Sequence, residues 1–217
     1  MNYKLKFEKS DYKRKLINFI EKYVVKKFYK PVILEFGVRK GISTRIFINY
    51  CNQYGGQLIS VDVNNCKKVT KDRKWTFIQS RDDDFEYLSK KIPKKIDIIH
   101  LDSLHTASHV DKILYYYYKK LKVNGLFVID DVSWIPYLQN KKKNSFGNEL
   151  ANLETFKRIL EIFSSNTDRF DLDFSFINSG LGIIKKNSLK KLNLKDPTQS
   201  RQYSIKNLFR KIYYFLK

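Results

Sequence analysis

The chain has 217 residues, 42% of them hydrophobic and 30% charged, which excludes a disordered chain and fits one α/β domain with short additions. Its formal net charge is +21. Such a field attracts polyanions, namely nucleic acid, anionic membrane, or phosphorylated and acidic glycan substrates, although Lys abundant alongside Asn, Ile and Tyr is also what an AT-rich coding sequence produces.

The two cysteines, Cys51 and Cys66, have no Cys-x-x-Cys or Cys/His neighbours, so no zinc site is expected and a reducing compartment fits. The N-terminus is charged and lacks the apolar centre of a signal peptide, and no run reaches the roughly 18 apolar residues of a spanning helix. A soluble, cytoplasmic protein is expected.

Residues 10–29 place Leu16, Ile17, Ile20, Tyr23, Val24 and Phe28 at helical spacing, with Ser10 as N-cap and Pro31 as the stop. An alternation follows. Strands are predicted at Val32–Phe36, Leu58–Val61, Trp75–Gln79, Ile96–Leu101 and Leu126–Ile129. Helices are predicted at Ser43–Tyr54, Asp82–Lys91 and Ala107–Leu121, with a basic helical turn near 66–72, and Gly55-Gly56, Pro93 and Asn124-Gly125 punctuate them. Successive β-then-α units imply a Rossmann-like, doubly wound, mostly parallel sheet whose strand C-termini share one edge, where ligands bind. A helix at Glu149–Phe163 and a hairpin, Phe170–Ile177 and Leu181–Lys186 around Asn178-Ser179-Gly180, complete a seven-stranded sheet with an antiparallel ending. The expected organisation is a helical segment over 1–30, the catalytic domain over 31–186 and a basic tail over 187–217, whose end spaces Ile205, Leu208, Phe209, Ile212 and Phe215 on one helical face.

Chemistry concentrates at the strand ends. In EFGVRKGIS, residues 35–43, Gly37 and Gly41 remove side chains where backbone turns and approaches a ligand, and Ser43 opens a helix whose amides face the crevice. The spacing is not the Gly-x-Gly-x-x-Gly dinucleotide fingerprint. Asp62 ends the second strand, where a carboxylate accepts from both ribose hydroxyls of a nucleoside. Asp102 ends the fourth strand, His105 follows, and Asp130 and Asp131 end the fifth. Three converging carboxylates repel one another, and a hard cation such as Mg²⁺ relieves that, so Asp102, Asp130 and Asp131 form the expected metal site. His105 is the expected general base. His100, on a buried strand, reads as structural; His109, one turn past His105, is a candidate acceptor contact. Lys141–Lys143 lie in a long loop that would act as a lid over an acidic acceptor, or be solvated charge; Trp134 would stack on a ligand or anchor that loop.

D-S-x-H at 102–105 followed by N-G-x-x-V-I-D-D at 124–131 resembles the class I S-adenosylmethionine-dependent methyltransferases, in the branch catalogued as methyltransferase family 24, similar to catechol and sugar O-methyltransferases. The resemblance spans residues 30–186. It implies transfer of a methyl group to a hydroxyl, with S-adenosylmethionine at Glu35, Gly37, Gly41, Ser43, Asp62 and Asp102, and Asp82 and Asp83 near the adenine. It implies Mg²⁺ at Asp102 and the 130–131 pair, and His105 standing where catechol O-methyltransferase has its lysine base. Arg39-Lys40 and Ala107 depart from the pattern, which bears on the acceptor more than on the fold.

The acceptor implied is a sugar or other small molecule, including an anionic one. Two other functions stay open. One is an RNA methyltransferase, favoured by charge, though the chain lacks the Asn/Asp-Pro-Pro-aromatic motif of base-amine enzymes. The other is a non-catalytic binding domain on the same fold. The basic tail would dock on the domain, join two copies of the chain, or lie on an anionic membrane.

Overall fold

The computed structural model describes residues 11–25, 27–140, 145–194 and 205–216. Ser10, Lys141–Lys143 and residues 195–204 of the tail lie outside these. Seven strands, β1 (Val32–Phe36), β2 (Gln57–Asp62), β3 (Trp75–Gln79), β4 (Ile96–Leu101), β5 (Leu121–Asp130), β6 (Phe170–Ser175) and β7 (Leu181–Lys186), form one sheet in the order β3-β2-β1-β4-β5-β7-β6. The first five run parallel; β7 is antiparallel to β5, and β6 to β7. This is the doubly wound sheet with an antiparallel ending that the sequence predicts.

The helices are α1 (Asp11–Phe19, continued by a π-helical turn over Ile20–Val24), α2 (Ile42–Tyr54), α3 (Phe85–Lys91), α4 (Ala107–Tyr118), α5 (Phe146–Ser164) and α6 (Ile205–Phe215). Side chains alternate along each strand, so the sheet has an apolar core on both faces. On one face Phe36, Leu101 and Phe127 pack under α3, α4 and α5, with Val110, Tyr117 and Ile159. On the other, Ile33, Ile98 and Val128 meet Leu16, Phe19 and Ile20 of α1 and Ile46 and Phe47 of α2. Within the expected N-terminal helical segment, Leu16, Phe19, Ile20 and Val24 share a core with the sheet. Tyr117 and Tyr118 are buried, while Tyr116 stacks on Phe85 at 3.8 Å, so most of the tyrosine run is packing.

Three local expectations change. β5 starts at Leu121, because Asn124-Gly125 makes a bulge inside the strand, with Asn124 at φ 63, instead of ending a helix and starting a strand. Residues 66–72 form turns and no helix. Helix α3 begins at Phe85, not Asp82, because the Asp84 side chain caps it by accepting from the Tyr87 amide at 3.3 Å.

β1 is the middle one of the five parallel strands, with β2 and β3 on one side and β4 and β5 on the other. The chain changes winding direction between β1 and β4, and that switch point opens a crevice beyond their C-terminal ends.

Candidate active site

At the crevice β1 gives way to a turn stitched to both neighbours: Gly37 N donates to Val61 O at 2.9 Å and Asp102 N to Phe36 O at 2.8 Å. Gly37 has φ +92, and a β carbon there would lie 1.9 Å from the Asp102 carbonyl oxygen. Gly41, at φ +70, precedes α2, and a β carbon there would strike Val69 at 2.1 Å.

Asp62 closes this turn. Its Oδ2 accepts from the amides of Val38 at 2.8 Å and Arg39 at 3.0 Å, and its Oδ1 from Asn64 at 2.8 Å. Burial alone would raise its pKa, but these amides win and hold the carboxyl below its ordinary range. A cavity of about 320 Å³ opens beside it, lined by Gly37, Asp62, Asp82, Asp102, Ser103 and His109. Asp82 accepts from Ser103 Oγ and lies 2.8 Å from His109 Nε2, so His109 sits on this side of the crevice. Asp83 is held by Arg81 at 2.8 Å and Lys112 at 2.9 Å. Arg39 and Lys40 are exposed.

Glu35, Gly41 and Ser43 do not line the cavity. Glu35 is fully buried behind it, and its Oε2 accepts from Ser60 Oγ at 2.6 Å and Thr44 Oγ1 at 2.8 Å. Burial raises its pKa against the opposing hydroxyls of Ser43 and Ser60. These residues brace the turn from below.

The other end of the crevice holds the titratable groups. His105 Nε2 lies 3.3 Å from Asp102 Oδ1 and 3.5 Å from Asp131 Oδ2. Burial would depress the imidazole, but these carboxylates and Asp130 carry its pKa up to about 9. Burial, then the neighbouring Asp130, raises the Asp131 carboxyl. Asp130 is fully buried, with His100 Nε2 at 3.7 Å from its Oδ2. His100 also packs edge-on against Phe47, with ring centroids 5.3 Å apart, as a core histidine.

Two site residues come from a segment that sequence reasoning assigned only to packing. Lys15, on α1, is completely buried, and its ammonium donates to Asp130 Oδ1 and, at 3.0 Å, to Ser179 Oγ. One turn earlier, Tyr12 donates its hydroxyl to Asp102 Oδ2. Burial would raise the Asp130 pKa, yet the Lys15 ammonium and His100 hold it well below the carboxylate range. A signal for both residues exists: Tyr12, Lys15 and Phe19 lie at i, i+3 and i+7 on the buried stripe of α1, where a lysine is anomalous.

The predicted cation site is therefore changed in character. Asp102, Asp130 and Asp131 do converge, but Lys15 and His105 already supply positive charge to them. His100, Asp102 and Asp130 each offer an atom within 4.8 Å of the others, a spacing compatible with a metal. A divalent ion there would share Asp130 with the Lys15 ammonium. Two unit charges about 4 Å apart in a partly polar protein medium repel by about 4 kcal/mol, and a divalent ion doubles this. With Lys15 on Asp130 Oδ1 the set fits a divalent ion poorly, even though Asp130 Oδ2 and both His100 ring nitrogens are buried without a hydrogen-bond partner.

Elsewhere, Trp134 packs on Phe156 at 5.2 Å, which makes it a loop anchor. Among the described residues no helix is long and apolar enough to cross a membrane.

Residues 34–132 match a family model described as a methyltransferase domain. No curated protein matches the chain. Several solved structures share the fold. The MycE methyltransferase of the mycinamycin biosynthetic pathway, in complex with Mg and SAH, is 19% identical, with a TM-score of 0.54 over 86% of this chain and 51% of that one. SAH-bound PaMTH1 of Podospora anserina is 17% identical, with a TM-score of 0.56 over 73% and 72%. A provisionally named ribosomal RNA methyltransferase of Plasmodium falciparum is 18% identical, with a TM-score of 0.55 over 84% and 99%. The chain spans about half the length of the MycE chain. The chain shares its fold with these methyltransferases, and residues 34–132 are similar to a methyltransferase domain.

Proposed function

We propose that this chain is an S-adenosylmethionine-dependent O-methyltransferase acting on a hydroxyl of a sugar or other small molecule. The observation that carries this reading is that Asp102, which lines the same cavity as Gly37 and Asp62, also lies 3.3 Å from His105 Nε2, whose other neighbour is Asp131 at 3.5 Å. The cavity fits an adenosyl group: Gly37 leaves the backbone bare where a ligand approaches, and the Asp62 carboxylate faces it as a ribose acceptor. Asp82 and Ser103 would flank the adenine. When bound, S-adenosylmethionine supplies a methyl group on a sulfonium.

His105 would take the proton of an acceptor hydroxyl, Asp102 and Asp131 would stabilise the imidazolium formed, and the methyl–sulfur bond would break as the methyl–oxygen bond forms, leaving the neutral thioether S-adenosylhomocysteine. The neutral imidazole is the active form. Magnesium at Asp102, Asp130 and Asp131, which the family resemblance implies, is left out of this reading because Lys15 already engages Asp130. A cytoplasmic location accords with Cys51 and Cys66 being free thiols.

The test is calorimetric titration with S-adenosylmethionine, followed by methyl transfer to a panel of sugar and phenolic hydroxyls. Tight cofactor binding that Asp62→Ala weakens supports the reading; absence of binding supports a non-catalytic domain instead. The net charge of +21 favours a second reading, an RNA methyltransferase. Tight RNA binding that falls steeply with salt would promote it.

A further inference from the structure

Lys15 is 0% exposed, and an ammonium without a partner at that depth is strongly unfavourable. Its place is fixed by its neighbours: Leu16, Phe19 and Ile20 of α1 are buried against Ile46, Phe47 and Val128, so the lysine is carried into the core on a rigid helix. We propose that Lys15 is a built-in cation occupying the position a divalent metal would take in the Asp102–Asp130–Asp131 cluster, so that this site works without a metal. The part of this proposal that concerns methyl transfer rests on the function proposed above; the part that concerns the cation does not.

The partners of each carboxylate carry the argument. Asp130 Oδ1 accepts from Lys15 and, at 2.6 Å, from the Asp131 amide. Asp102 has Tyr12 on Oδ2 and His105 3.3 Å from Oδ1. Asp131 Oδ2 faces His105 at 3.5 Å. Each carboxylate has at least one donor or cation from the chain itself, which lessens the repulsion that a metal would relieve, while Asp130 Oδ2 is buried without a hydrogen-bond partner. Ser179, on the β6–β7 turn, fixes the ammonium from the far side at 3.0 Å. Lys15 and Tyr12 are positioning residues: they hold Asp130 and Asp102, and through Asp102 the imidazole of His105, without reaching the acceptor.

Mn²⁺ binding, read by electron paramagnetic resonance on the whole chain with SAH present, tests this. The wild-type protein is expected to leave the free Mn²⁺ signal unchanged. Lys15→Ala is expected to gain one Mn²⁺ site per chain where the wild-type chain has none. Asp130→Asn added to it should abolish the gain. Lys15→Arg should bind no Mn²⁺, and its turnover, like that of wild type, should survive chelation. A wild-type chain that holds one Mn²⁺ lost in Asp130→Asn overturns the proposal, and that arm needs no Lys15 variant to fold. So does a folded Lys15→Ala protein that gains no site. SAH titration of the wild-type chain separates the two readings: its failure removes the methyltransferase function and leaves the Mn²⁺ result standing.

Discussion

Gly37 and Asp102 sit so close that a β carbon on the glycine would fall 1.9 Å from the aspartate carbonyl oxygen. The two strand ends on either side of the switch point are thus in backbone contact, with no room for a side chain. Gly37→Ala must shift one strand end and also adopt φ +92, and each is costly for an L-residue. The expected outcome is a loss of more than about 3 kcal/mol in stability and no detectable cofactor binding, read by thermal unfolding and SAH titration.

Asp62 separates binding from folding less cleanly, because its carboxylate ties three loop amides. In Asp62→Asn one amide nitrogen must face a backbone N–H, leaving a donor unmatched. The variant should lose about 1–3 kcal/mol in stability. Because its folded pKa is lowered, this carboxylate's contribution is present above the unfolded value near 3.9 and is lost as pH falls through the folded one. The variant's stability deficit should therefore shrink in acid, as paired denaturation curves would show.

His105 gives the opposite sign. Its folded pKa of about 9 lies above the unfolded value near 6.5. Its ion pairs add stability in full below about pH 6.5, and that stability is lost as pH rises through 9. The base form grows over the same window, so turnover should climb until about pH 9. Asp131→Asn removes a carboxylate from the imidazole and should move the midpoint of the pH–rate profile downward. An unchanged midpoint would mean that another group is the base.

Helix α6 presents Ile205, Leu208, Phe209 and Ile212 to solvent, each at least 48% exposed, beside Lys206 and Arg210 and with no acidic residue. Apolar and basic groups together match the surface of an anionic bilayer. Co-sedimentation should show binding to vesicles containing phosphatidylserine, weakened by salt and abolished by Leu208→Glu with Phe209→Glu. A wild-type dimer in sedimentation that the same double variant dissociates, with no vesicle binding, would assign the face to a second copy of the chain instead.

The alternating strands and helices were legible in the chain because apolar spacing is local, and right-handed crossovers then order the strands and bring Gly37, Asp62, Asp102 and Asp130 to one edge. Boundaries were less legible. The start of α3 turns on whether the Asp84 side chain caps it, and the start of β5 on whether Asn124-Gly125 breaks the chain or bulges within a strand.

The charge balance of the site was decided by tertiary structure. Lys15 and Asp130 are 115 residues apart, and Tyr12 and Asp102 are 90 apart. Among 43 lysines and arginines, nothing local marks Lys15 as one that will lose its water, apart from its place on an apolar stripe. Strand periodicity says which way a side chain points, so the carboxylates could be placed from sequence. What compensates a buried charge depends on the helix that packs over it, and that contact exists only once the chain has folded.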